Sequence, residues 1–128
     1  MTRTPITSIS PFFIVRNIPT ALSFYCDRLG FNILHLEPEQ NPFFAIVQRD
    51  GAIIFLKEVG VEPVPNSMRH PTARWDAYVS VPDPDALASE FNSRRVVFSK
   101  PLQNTHDGLR GFELEDADGH VLFFGRPK

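Results

Sequence analysis

Hydrophobic and polar positions follow two rhythms along this chain, and both rhythms occur twice in the same order. Residues 9–15 are apolar almost throughout and predict a strand covered on both faces. Asn17 and Pro19 then supply a cap and a first-turn proline, and Ile18, Ala21, Leu22, Tyr25 and Leu29 fall at helical spacing on one face. Gly30 stands where a left-handed C-terminal cap is wanted. Strands are predicted over 31–36, 43–48 and 52–58, the last two joined by Arg49-Asp50-Gly51.

A stretch without period, 59–73, holds Pro63, Pro65 and Pro71 and reads as a connector. The series then repeats. A strand over 74–81 leads to Asp83, which caps a helix with Leu87, Ala88 and Phe91 pointing inward. A short strand over 96–99 and a polar loop over 103–110 come before a closing hairpin, 111–115 with 120–124. Asp118-Gly119 matches Asp50-Gly51, and Val121, Leu122, Phe123 and Phe124 match Ile53, Ile54, Phe55 and Leu56. The starts match as well, residues 13–22 with 79–87. One domain, 1–128, is therefore expected, made of two strand–helix–hairpin units over about 8–58 and 74–126.

Composition narrows the function classes. A hydrophobic content of 42% and a charged content of 22% are those of a soluble globular chain. A net charge of −2 gives no electrostatic case for nucleic acid or an anionic membrane, so neither is expected as a partner. No apolar run approaches the ~20 residues that span a bilayer, and residues 1–10 lack the apolar centre of a signal peptide. Cys26 has no partner for an internal disulfide, which suits a cytoplasmic protein. The 12 Phe against a single Trp and two Tyr suggest an aromatic interior or cavity.

Val15-Arg16-Asn17, Ala21-Leu22-Ser23-Phe24-Tyr25, Leu29-Gly30-Phe31 and Asp116-Ala117-Asp118-Gly119-His120 resemble the signature segments of the vicinal oxygen chelate superfamily. That superfamily includes glyoxalase I, extradiol dioxygenases and the fosfomycin- and bleomycin-resistance proteins. The resemblance implies an α+β fold of two tandem βαβββ units, whose curved mixed sheets surround a cup, and a homodimer. It also implies where metal-using members would hold an ion. Those places fall at Ser10, Phe55, Asp76 and Phe123. A hydroxyl, one carboxylate and two phenyl rings do not make a divalent-metal site, which needs about three imidazole or carboxylate donors. No metal and no cofactor is expected.

Other chemistry is thin. His35, His70, His106 and His120 have no ligand-like spacing, and His120 after the turn reads as solvent-facing. Glu113 and Glu115 alternate with Phe112 and Leu114 and read as one solvated strand face. Cys26 lies beside Leu22 and Leu29 and reads as a packing thiol. No nucleophile elbow, phosphate loop or dinucleotide fingerprint is present, and no catalytic residue is assigned.

The resemblance implies that Ser10, Phe12, Phe55, Asp76, Tyr78 and Phe123 face the cup; Trp75 is a further ligand-binding candidate and Arg110 a candidate at the rim. Such an aromatic cleft with few polar groups suits a flat or amphipathic organic ligand. The leading expectation is metal-independent binding of such a molecule, similar to the drug-sequestering bleomycin-resistance branch. The alternative is a metal-dependent glyoxalase- or dioxygenase-type enzyme with substituted ligands, such as Asp76 with His106 or His120. A third is a cup filled by its own aromatics, serving only as an interaction module. Asp76 has a further option, a salt bridge to Arg74 or Arg110.

Overall fold

The structure, a computed structural model, describes residues 2–128. Two four-stranded mixed sheets follow one another along the chain. In the first, β1 (Phe12–Val15), β2 (Asn32–Glu37), β3 (Phe44–Arg49) and β4 (Ala52–Glu58) are arranged in the order β1-β4-β3-β2. In the second, β5 (Ala77–Ser80), β6 (Phe98–Asn104), β7 (Leu109–Glu115) and β8 (Val121–Pro127) take the matching order β5-β8-β7-β6. β1 with β4 and β5 with β8 are the parallel pairs, and the remaining ladders are antiparallel. This is the expected pair of βαβββ units in an α+β fold.

Each crossover is a helix opened by the residues that the sequence nominates. Asn17 Oδ1 accepts from the Thr20 amide at 2.8 Å to start α1 (Ile18–Leu22), which runs on as a π-helical stretch over Ser23–Arg28. Asp83 Oδ1 accepts from the Ala86 amide at 3.1 Å to start α3 (Pro84–Ser93). Between the units the connector contains a short helix, α2 (Asn66–Arg69).

The helix-facing sides of both sheets close on one continuous core. It holds Phe13, Val15, Val47 and Leu56 from the first sheet, and Phe112, Leu114, Leu122 and Phe124 from the second. Tyr25 and Phe91 fill the space beneath them. Strand alternation leaves Phe12, Phe55, Tyr78 and Phe123 on the other faces.

Several boundaries depart from expectation. β1 begins at Phe12, three residues into the predicted strand, and β5 begins at Ala77 where the strand was predicted from Arg74. β6 runs on through Asn104, because Gln103 and Asn104 pair with Gly111 and Arg110 across the hairpin. The predicted polar loop thus contributes ladder residues at both of its ends. His120 is buried and stacks on Phe13 at 4.2 Å, correcting its solvent-facing assignment. Glu113 is also buried; only Glu115 is exposed.

Candidate functional site

The two sheets can be compared position by position through their registers. Phe55 on β4 pairs with Phe12 on β1 and with Ile46 on β3. Phe123 on β8 pairs in the same way with Tyr78 on β5 and with Glu113 on β7. Two residues further along and on the same face, Phe44 faces Lys57 in the first sheet, whereas Gly111 faces Gly125 in the second.

That substitution shapes the second face. In the first sheet Phe12, Phe44 and Phe55 form a ring cluster, and Lys57 Nζ lies 5.7 Å from the Phe44 centroid. In the second, the glycine pair leaves a bare floor and the Phe123 ring lies across it. A Cβ on Gly111 would overlap the Phe124 carbonyl oxygen and sit 2.7 Å from the Phe123 ring. A Cβ on Gly125 would meet the same ring at 2.5 Å and the Arg110 carbonyl oxygen at 2.6 Å. No side chain longer than hydrogen fits at either place.

Laid flat, Phe123 stacks with Trp75 at 4.4 Å and with Tyr78 at 5.7 Å. Beside it opens a cavity of about 770 Å³, lined by Arg74, Trp75, Lys100, His106, Glu113 and Phe123 among others. Glu113 is 1% exposed within it. Its Oε1 accepts from Arg74 Nη2 at 2.7 Å and from Ser99 Oγ at 2.8 Å. Burial pushes the Glu113 carboxyl upward, but the Arg74 and Ser99 hydrogen bonds and the nearby Arg74 and Lys100 charges outweigh it. The group is held below the usual glutamate range and stays ionised.

The predicted site residues do not gather in one place. Trp75, Tyr78 and Phe123 come together in the second sheet, and Phe12 and Phe55 in the first; no ring contact joins the two sets among the described residues. Ser10 sits half-buried before β1 and lines neither of the two cavities described here. Asp76 is turned to backbone: Oδ1 accepts from the Asn66 amide at 2.9 Å and Oδ2 from the Val121 amide at 2.8 Å. It pairs with neither Arg74 nor Arg110. Arg110 makes a two-pronged contact with Asp85 at the start of α3, its Nη2 lying 2.8 Å from Oδ2.

Glu113 and Arg74 are the cleft residues that sequence reading missed. Alternation with Phe112 and Leu114 marks Glu113 as facing away from the helices, and that face was taken for solvent. The corresponding Ile46 in the first unit was the available signal, since it shows the position to be compatible with an apolar wall.

The donors for a metal do not converge. Asp76 is committed to two amides, and the places at Ser10, Phe55 and Phe123 offer no imidazole or carboxylate. Asp116, Asp118 and His120 do cluster within 4.8 Å, all buried. Most of their ligand atoms are already used. Asp116 accepts from Tyr25 Oη at 2.6 Å, from His120 Nδ1 at 2.9 Å and from the Asp118 and His120 amides. Asp118 accepts from the Arg16 amide and guanidinium. A cation there would compete with the hydrogen bonds that hold the β7–β8 turn.

A second cavity, of about 580 Å³, lies between the units against Ile53, Ile54, Val79 and Leu87. Of its charged residues, Arg49 and Glu90 pair at 2.8 Å, and Asp50 and Asp83 also line it.

Paired βαβββ units carrying an aromatic face on each sheet define a class of protein, and comparison identifies the family. The model of the Glyoxalase/Bleomycin resistance protein/Dioxygenase superfamily matches residues 7–124, and the chain belongs to that superfamily. Among solved structures it is similar to the bleomycin-binding protein of bleomycin-producing Streptomyces verticillus in complex with copper(II)-bleomycin. That match has 22% identity and a TM-score of 0.73 over 98% of this chain and 100% of the other. TioX from Micromonospora sp. ML1 matches with 20% identity and a TM-score of 0.74 over 95% and 99% of the two chains. TnmS3, an antibiotic binding protein from Streptomyces sp. CB03234, matches with 23% identity and a TM-score of 0.64 over 98% and 100%. A search of curated proteins found no match. No helix among the described residues is long and apolar enough to cross a membrane.

Proposed function

We propose that this protein binds a flat, aromatic or amphipathic small molecule without a metal and sequesters it, as an antibiotic-binding protein would. The observation that carries the reading is the hollowed second sheet. Gly111 and Gly125 replace the Phe44–Lys57 pair of the first, and an open cavity of about 770 Å³ lies beside the flattened Phe123 ring. The Phe123 ring takes the room of the two missing side chains, and lying flat there it becomes one wall of the cavity. A volume of that size and an aromatic wall suit a drug-sized ligand.

A homodimer is part of the proposal. Phe12, 58% exposed, and Tyr78, 39% exposed, lie on faces that a monomer leaves wet. A second copy that set its first sheet against this second sheet would cover both and enclose two equivalent clefts.

Trp75, the single tryptophan, reports directly on the site. Titration with planar aromatic compounds such as acridines and naphthalene derivatives is expected to change its fluorescence and raise the melting temperature. The reading fails if neither observable moves at millimolar ligand.

A further inference from the structure

We infer that Arg74, held in place by Glu113, is a recognition site for a planar oxyanion, a carboxylate or its equivalent, carried on the aromatic ligand. This rests on the binding function proposed above and names the group that its ligand must carry.

The pair has no counterpart in the first sheet, where Ile46 occupies the place of Glu113. Burying a carboxylate at a position that accepts isoleucine is unfavourable, and an ion pair placed there seldom stabilises a fold more than apolar packing does. Its geometry has a consequence at the cleft. A guanidinium has two forks of donors on different edges. Arg74 turns one of them, Nε and Nη2, onto Glu113 at 3.4 and 2.7 Å. The other, at Nη1, has no acceptor among the described residues, and the Arg74 side chain is 33% exposed in the cavity lining.

The charges of the lining balance, Arg74 and Lys100 against Glu113 and Asp107, so the donors left free decide which ion the cleft takes. Glu113 itself is out of reach, because its Oε1 is taken by Arg74 and Ser99 and the residue is buried under them. Asp107 at the rim is occupied by the Thr105 hydroxyl. Glu115 is exposed and acts on Arg74 only through its charge, and Lys100 acts likewise on Glu113. His106 completes the charged or titratable lining. Lys100 is exposed and its side chain has no hydrogen-bond partner among the described residues, and Arg74 is the cation of the cleft wall whose unused donors are oriented by Glu113. Trp75 lines the same cavity, so a ring stacked on the indole carries its carboxylate into the cleft that holds that fork.

Calorimetric titration with 2-naphthoate, 2-naphthamide and 2-naphthylmethylamine tests this. The carboxylate is expected to bind about tenfold tighter than the amide, with the amine weakest. Arg74→Gln should erase that preference and leave amide binding within about twofold. Glu113→Gln should reduce the preference although Arg74 is still present, which marks Glu113 as a positioning residue. If circular dichroism shows Glu113→Gln unfolded, Arg74→Gln decides alone. Equal binding of the three compounds, an amine preference, or a carboxylate preference that survives Arg74→Gln overturns this inference and leaves the binding function standing. Failure of all three to bind at millimolar concentration overturns both.

Discussion

The Tyr25 hydroxyl donates to Asp116 Oδ2 at 2.6 Å, joining the helix of the first unit to the β7–β8 turn of the second. Both residues are buried, and Asp116 also gathers two amides and the His120 ring. A buried carboxylate with this many donors organises the turn around itself. Tyr25→Phe keeps the ring and removes one charge-assisted bond, so we expect a loss of about 2 kcal/mol in urea unfolding. Asp116→Asn should cost more, because its amide group must face other donors. A Tyr25→Phe loss below about 0.5 kcal/mol would show that the bond contributes little.

The same tyrosine gives the protein an alkaline limit. Burial, followed by the Asp116 charge and hydrogen bond, pushes the Tyr25 phenol well above its usual 10.0. The folded state therefore keeps a proton that the unfolded chain gives up. This stabilisation is complete below pH 10.0 and is lost as pH rises through the folded value. Stability should fall by about 1.4 kcal/mol per pH unit in that window. Tyr25→Phe should flatten the slope, and an unchanged slope would assign it to other groups.

At the acid end the sign reverses. Glu113 and Glu90 are both held below the usual 4.5, Glu113 by Arg74 and Ser99 against its own burial, Glu90 chiefly by Arg49. Their contribution is present above pH 4.5 and is lost as pH falls through the folded values. Melting temperatures measured from pH 6 to 3 should drop less steeply in Arg74→Gln, which has already lost one of the two pairs. An equally steep drop would show that the Glu113 pair does not govern acid stability.

Much of the architecture was legible because it depends on local rules. The caps at Asn17 and Asp83 and the two Asp-Gly turns announce themselves in order, and their repetition yields both sheets. The cleft was less legible, because it depends on register across strands. That Glu113 stands beside Phe123 and that Gly111 faces Gly125 follows from a ladder, and no periodicity within one strand reveals it. Asp76 shows what local geometry adds to a family position. Its family position pointed to a ligand contact, but nearby amides of Asn66 and Val121 had the stronger geometric claim.

Metal loading separates the binding reading from the enzyme alternative. The positions at Ser10, Phe55, Asp76 and Phe123 present no set of free donors, and most ligand atoms of the Asp116 cluster are already hydrogen-bonded. Incubation with Zn, Mn, Ni or Fe(II), then gel filtration and elemental analysis, should leave well below one ion per chain. Near-stoichiometric retention that disappears in Asp76→Ala would place a metal on the cup and favour the enzyme alternative. Retention that disappears in Asp118→Ala would instead locate the ion in the inter-unit turn.

Phe12 tests how the clefts are enclosed. The ring is exposed on a sheet face with Phe44 and Phe55, and the proposed dimer covers it. Phe12→Asp removes no core contact, since Phe13 and not Phe12 points to the helices. Sedimentation equilibrium should therefore give a dimer for the parent chain and a monomer for the variant, with little change in melting of the isolated fold. Ligand affinity should fall together with dimerisation, because each cleft would lose the wall supplied by its partner. A variant that stays dimeric would show that the copies meet elsewhere. A monomer that binds as tightly as the parent would show that the second sheet and its glycine-floored cavity suffice.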